Sequence, residues 1–164
     1  MSGIGVKTMS RVLIVSESPI FRSCVSLVLS RNVETTIAGE TASIEEAVRL
    51  AHLRTCDLIV VSADTFCRRE RGRLQTFKLD ALRLLKQTCP GVAVLALEGS
   101  GSGNCASILV EAGADGYLAT KSDSDELFTA IKIITRGGRY INSRMPLNGN
   151  DPLAICHNQS RPGC

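Results

Sequence analysis

The chain of 164 residues contains no tryptophan, and aromatic residues make up only 4% of it, so any core it builds must be aliphatic. No apolar run reaches the ~18 residues that a membrane-spanning helix requires. The first ten residues, MSGIGVKTMS, lack the charged-then-apolar order of a secretory leader. The expected location is therefore the cytoplasm. Seven cysteines are present, an odd number, and no CxxC pair occurs. Cys24, Cys56, Cys67, Cys89 and Cys105 are scattered, which argues for free thiols, with Cys24 and Cys105 packed as small hydrophobes. The terminal run CHNQSRPGC holds Cys156, His157 and Cys164, but its spacing matches no usual zinc site, and no metal site is expected.

What is present is a single domain's worth of chain with 44% hydrophobic residues. The net charge of +3 is a local effect: Cys67 to Lys86 carries seven Lys/Arg against two acids, and the remainder is slightly acidic. Strand-like and helix-like segments alternate. RVLIVS (11–16) is a short continuous apolar run suited to a strand buried on both faces. Ser18 as N-cap and Pro19 as first helical residue then start a helix with Ile20, Phe21, Cys24, Val25 and Val28 on one side. TTIAGE (35–40) reads as a second strand, and SIEEAVRLAHLR follows with a Ser43/Glu46 capping box. DLIVVS (57–62) and LDALRLLKQT (79–88) form the third unit, VAVLALE (92–98) and NCASILVEAGA the fourth, and GYLAT (116–120) and SDELFTAIKIITRGG the fifth. Five such units imply a parallel sheet covered by helices on both faces. The expected division is an extension (1–10), a domain (11–142) with a basic insertion (63–78), and a flexible tail (143–164).

VLIVSESPIFR, DLIVVS, VLALE and EAGADGYLATKSDSDELFTAIKIITRGGRYI resemble the receiver domain of two-component response regulators, most of all the NarL/FixJ type, over residues 11–141. The resemblance implies a flavodoxin-like (βα)5 three-layer sandwich of strand order 2-1-3-4-5, with a site beyond the carboxyl ends of strands one and three. It also implies an aspartate at the end of the third strand that accepts a phosphoryl group. An acidic pair after the first strand would hold Mg²⁺, and a hydroxyl after the fourth and a lysine after the fifth would meet the phosphoryl oxygens. Here the acceptor position is Ser62, the acidic pair is Ser16 and Glu17, the hydroxyl position is Glu98, and the lysine position is Thr120, with Lys121 next. Tyr117 fills the switch-aromatic position. At most a weak Mg²⁺ site at Glu17 is left, and no cofactor is expected.

A serine hydroxyl with no base beside it is a poor acceptor. Asp64, two residues on, is displaced by several ångströms along an extended chain, yet it is the one alternative acceptor. The expected function is that of an atypical receiver acting in signal transduction and transcription regulation through phosphorylation-independent protein contacts, not an enzyme. Such contacts, to a partner or in a homodimer, are expected on the face of the fourth helix, fifth strand and fifth helix. Ile108, Leu109, Leu127, Phe128, Ile131, Ile133 and Ile134 supply more apolar side chains there than one buried stripe needs. Pairing of Glu98 with Lys121 would hold one signalling state. The alternatives are a small anion or nucleotide at GSGSGN (99–104), or phosphorylation at Asp64. The insertion ADTFCRRERGRLQTFK carries Arg68, Arg69, Arg71, Arg73 and Lys78 and is expected to be a mobile, exposed loop, with contact to nucleic-acid phosphates as the minor alternative. No helix-turn-helix pair follows the domain in NSRMPLNGNDPLAICHNQSRPGC, so direct DNA binding by the usual route is not expected.

Overall fold

The computed structural model describes residues 9–99, 105–119 and 121–142. The expectations for residues 1–8, GSGSGN beyond Gly99, Thr120, and the tail with Cys156, His157 and Cys164 lie outside the described residues.

The parallel sheet runs β1 (Ser10–Val15), β2 (Thr35–Thr41), β3 (Leu58–Ser62), β6 (Ala93–Leu97), β7 (Gly116–Leu118) and β8 (Tyr140–Asn142), in the order β2-β1-β3-β6-β7-β8. Its first five members reproduce the expected 2-1-3-4-5 order, and β8 adds a sixth at the edge. Strand periodicity divides the core into two layers. Leu13, Val15, Ile59, Val61, Val94 and Ala96 face α2 (Ile44–His52), α3 (Leu79–Thr88) and α4 (Ala106–Glu111). Val12, Ile14, Leu58, Val60, Ala93 and Leu95 face α1 (Pro19–Leu29) and α5 (Ser124–Thr135). The result is the three-layer flavodoxin-like α/β architecture.

The helices start where local chemistry says they should. Ser18 caps α1 by accepting from the Phe21 amide at 3.2 Å, with Pro19 following, and Ser43 accepts from the Glu46 amide at 3.2 Å. The return half of the Ser43 box does not form, because the Glu46 carboxylate takes Arg49 at 2.6 Å instead. The buried stripe of α1 is also rotated from the expected one: Val25 and Leu29 are buried and Phe21 and Val28 partly so, whereas Ile20 and Cys24 face solvent. Cys24 is thus an exposed thiol, while Cys105 is buried as expected. β8 forms because Tyr140 and Ile141 point one into each core layer, and Gly116 opposite lets the strand close: a Cβ there would sit 3.0 Å from the Tyr140 carbonyl oxygen.

The insertion is ordered, contrary to expectation. A short 3₁₀ turn, Ala63–Thr65, leads into an antiparallel hairpin of β4 (Cys67–Glu70) and β5 (Arg73–Thr76). Arg71 and Gly72 make the two-residue turn with φ of 50° and 79°, the pattern that matches the twist of a hairpin. At its base Phe66 and Cys67 are fully buried in the layer that holds α3 and α4, and the Phe77 amide donates to the Phe66 carbonyl at 2.6 Å. The arginines project outward while two apolar side chains anchor the neck.

Truncating Phe66 to Ala is expected to cost about 3 kcal/mol or more, lowering the thermal midpoint by roughly 6–12 °C in calorimetry. Deletion of residues 66–73 is expected to be at least as damaging. A second outcome concerns pH. Burial pushes the Cys56 thiol up from 9.0 to about 11, so the unfolded chain loses this proton first. The stability it contributes is complete below pH 9 and disappears as pH rises through 11. Urea titrations across that window should show stability falling, with a shallower fall in Cys56→Ala.

Candidate functional site

β3 lies between β1 and β6, so the carboxyl ends of β1 and β3 open side by side. A cleft of about 670 Å³ lies there, lined by Ser16, Glu17, Ser62, Asp64, Arg68 and Gly99 among others. The acid that belongs to β3's own segment, Asp57, is at the wrong end. It accepts two hydrogen bonds from the Arg11 guanidinium, at 2.9 and 3.1 Å, which hold its carboxyl below the ordinary range.

At the cleft end, Ser62 is 3% exposed and its hydroxyl accepts from the Asp64 amide at 3.3 Å, capping the 3₁₀ turn. Ser16 is equally enclosed and accepts from the Ser18 amide at 3.1 Å, at the entry to α1. Both hydroxyls thus serve local turns. Glu17 is exposed at the rim, and Arg68 reaches it from the inserted hairpin with Nη2–Oε2 of 3.0 Å. Arg68 Nε also donates to the Asp64 carbonyl at 3.3 Å, and its guanidinium stands 5.8 Å from the Phe77 ring centre. Asp64 turns its carboxylate toward Gly99 so closely that a Cβ on Gly99 would lie 2.5 Å from Oδ2. Its side chain lines the same cleft as Ser62.

This donor set does not fit a divalent cation. One of the two expected carboxylates is Ser16, the other is ion-paired to Arg68, and among the described residues no three His, Cys, Asp or Glu side chains stand together as ligands.

Behind the cleft, Tyr117 on β7 is fully buried, with its hydroxyl donating to Glu98 at 3.2 Å and lying 4.0 Å from the Cys105 sulfur. Burial among these groups drives the Tyr117 hydroxyl far above its ordinary range. Glu98 is thus engaged by Tyr117. Lys121 is exposed, and among the described residues no ion pair joins it to Glu98. The apolar surplus expected on α4 and α5 is mostly internal: Leu109, Leu127, Ile131 and Ile134 are buried, and Ile108, Phe128 and Ile133 partly so. His52 bonds Thr88 at 2.9 Å, between α2 and α3, and supplies no base to Ser62.

Two features were missed by sequence reasoning. Arg68 counted there only as part of a basic run, although its alternation with Cys67 and Arg69 in a short strand was a faint signal. The second is the Lys86–Asp115 pair at 2.8 Å, which ties α3 to the loop before β7, and in which Asp115 also accepts from the Val94 amide.

No family model matches the chain. It is 28% identical over 138 residues to the transcriptional regulatory protein DegU of Brevibacillus brevis, covering 84% of this chain and 55% of that protein. It is 27% identical over 135 residues to the nitrate/nitrite response regulator protein NarP of Escherichia coli, covering 82% of this chain and 59% of that one. The chain thus spans less than two thirds of the length of either of these two relatives. Among solved structures, a LuxR-family two-component response regulator from Aurantimonas sp. superposes with a TM-score of 0.66 at 27% identity, covering 84% of this chain and 91% of the other. The isolated receiver domain of RcsB from Salmonella enterica, solved with a phosphomimetic, superposes with a TM-score of 0.64 at 11% identity, covering 83% and 95%, a likeness of fold alone.

Because Arg68 and Glu17 are both substantially exposed, Arg68→Ala is expected to shift stability by less than about 1 kcal/mol, a few degrees at most, in contrast to Phe66→Ala. Paired thermal melts read the difference.

Proposed function

We propose, for a chain whose homologues and structural neighbours are receiver domains of LuxR/NarL-type response regulators, that it works as an atypical receiver whose output does not depend on phosphoryl transfer. The observation that carries this reading is the end of β3. Ser62 stands where the acceptor carboxylate belongs, enclosed and committed to a turn. Around it, Glu17 and Asp64 place negative charge in the cleft, Glu98 replaces a hydroxyl with another carboxylate, and Arg68 already neutralises Glu17. An incoming phosphoryl group would meet carboxylates where it needs cationic and hydroxyl partners. The domain is a signalling module and not an enzyme.

Output then runs through protein contacts at α4, β7 and α5, with a partner or a second copy, as a consequence of the Tyr117–Glu98 contact that fixes the switch aromatic inward. Transcription regulation is the process this serves, by analogy with the relatives named above. Among the described residues no helix is long and apolar enough to cross a membrane. Phosphorylation at Asp64 is the competing reading, since its side chain lines the same cleft.

Incubation with acetyl phosphate and Mg²⁺ is expected to leave the intact mass unchanged, with no acid-labile phosphate. A one-phosphate increase mapped to Asp64 would establish the competing reading. Sedimentation across micromolar concentrations is expected to show association without any phosphate donor, weakened in Glu98→Ala. Monomers throughout for both proteins would remove the homodimer version.

A further inference from the structure

The inserted hairpin carries more positive charge than the cleft uses. Arg68, Arg69, Arg71 and Arg73 stand in the run RRERGR, and all are exposed. Arg68 is taken by Glu17 at the cleft rim, and Lys78, past the end of β5, is paired with Glu45. Arg69 donates to the Gly72 carbonyl at 3.1 Å, within the hairpin itself, and among the described residues no carboxylate is paired with Arg69, Arg71 or Arg73. Glu70 is the one acid of the two strands and their turn, so the free end of the hairpin is cationic.

The ladder register places these charges. Arg69 is opposite Leu74, and Glu70 is opposite Arg73. Because side chains alternate along each strand, Arg69 shares a face with Cys67 and Leu74, Arg73 lies on the other face, and Arg71 stands in the turn. Cationic groups therefore leave the free end in several directions and do not form one flat patch. Apolar side chains are confined to the neck, where Phe66 and Cys67 are buried and Leu74 packs against the same layer, and Phe77 stands under Arg68.

We propose that the hairpin is a docking arm for duplex DNA, entering the major groove so that Arg69, Arg71 and Arg73 meet phosphates on both of its walls. Charge complementarity selects a polyanion. The bare free end selects nucleic acid over an acidic protein surface, because a protein interface is built around an apolar or aromatic centre that these residues lack. A major groove about 12 Å wide admits a two-stranded ribbon, and strands of four residues reach about 13 Å. The planar guanidinium fork bonds two phosphate oxygens at once. Such contacts position the domain without reading a sequence. The arm involves neither Ser62 nor the α4, β7 and α5 face, so it stands or falls separately from the function proposed above.

Fluorescence anisotropy of a short labelled DNA duplex, titrated with the full-length chain at low salt, is the test. Binding is expected, and raising the salt about fourfold should weaken it about 40-fold for three phosphate contacts. The triple variant Arg69→Gln, Arg71→Gln, Arg73→Gln should lose about tenfold or more in affinity with an unchanged melt, because all three side chains are exposed. A charge-matched control, Arg31→Gln, Arg136→Gln, Arg139→Gln, removes exposed arginines elsewhere and should bind like the unmodified protein. Poly-glutamate at equal charge concentration should compete poorly, a result that needs no variant. No binding at low salt, equal loss in the two triple variants, or poly-glutamate competing as well as unlabelled duplex would each overturn the proposal, the last in favour of an acidic protein surface.

Discussion

Every side chain of β3 is buried, and its backbone is hydrogen-bonded to a parallel neighbour on each side. This double enclosure is the constraint from which the rest follows. A strand covered on both faces by helices has no tolerance for a polar residue along its length, and polar chemistry is expelled to its ends. At one end Asp57 finds Arg11 and water, and at the other the chain must turn and Ser62 supplies the cap. The cleft exists because β1 and β3 finish together and their chains leave in opposite directions, one into α1 and one into the 3₁₀ turn.

The inserted hairpin changes what that cleft can do. It is fastened by Phe66 and Cys67, whose burial removes apolar surface from water at about 25 cal/mol per Å². Its charges contribute little to holding it in place, being exposed. They matter for what they cover: a guanidinium lies on the one rim carboxylate that a metal would need. The insertion's basicity and its anchoring are separate properties, carried by alternate residues of one short strand.

Beneath the cleft, the buried side chains of β7 and the start of α4 are in contact. Tyr117 bonds Glu98 and touches Cys105, and Tyr117 and Cys105 both belong to the apolar cluster that also holds Phe66 and Cys67 of the hairpin neck. The neck of the inserted segment and the buried aromatic of β7 thus share one apolar layer.

Much of this was legible in the amino-acid order. Short apolar β-branched runs alternating with capped amphipathic segments imply a parallel sheet with helices packed against it, since such packing buries strands such as LIVVS on both sides. The polar residue that ends β3, Ser62, could be read directly. The hairpin could not be read, because Arg-Gly is a poor turn signal, four-residue strands carry almost no periodicity, and the two anchoring residues look ordinary inside a basic run. The same limit applied to the stripe of α1, where Cys24 and Val25 are equally apolar and only packing chose which faced the sheet. It applied as well to Arg68 on Glu17, a pair far apart in sequence. Local order determined which elements form and in which sequence they stack. The tertiary structure decided which side chains meet across them, because such contacts depend on the relative placement of elements that no local pattern encodes.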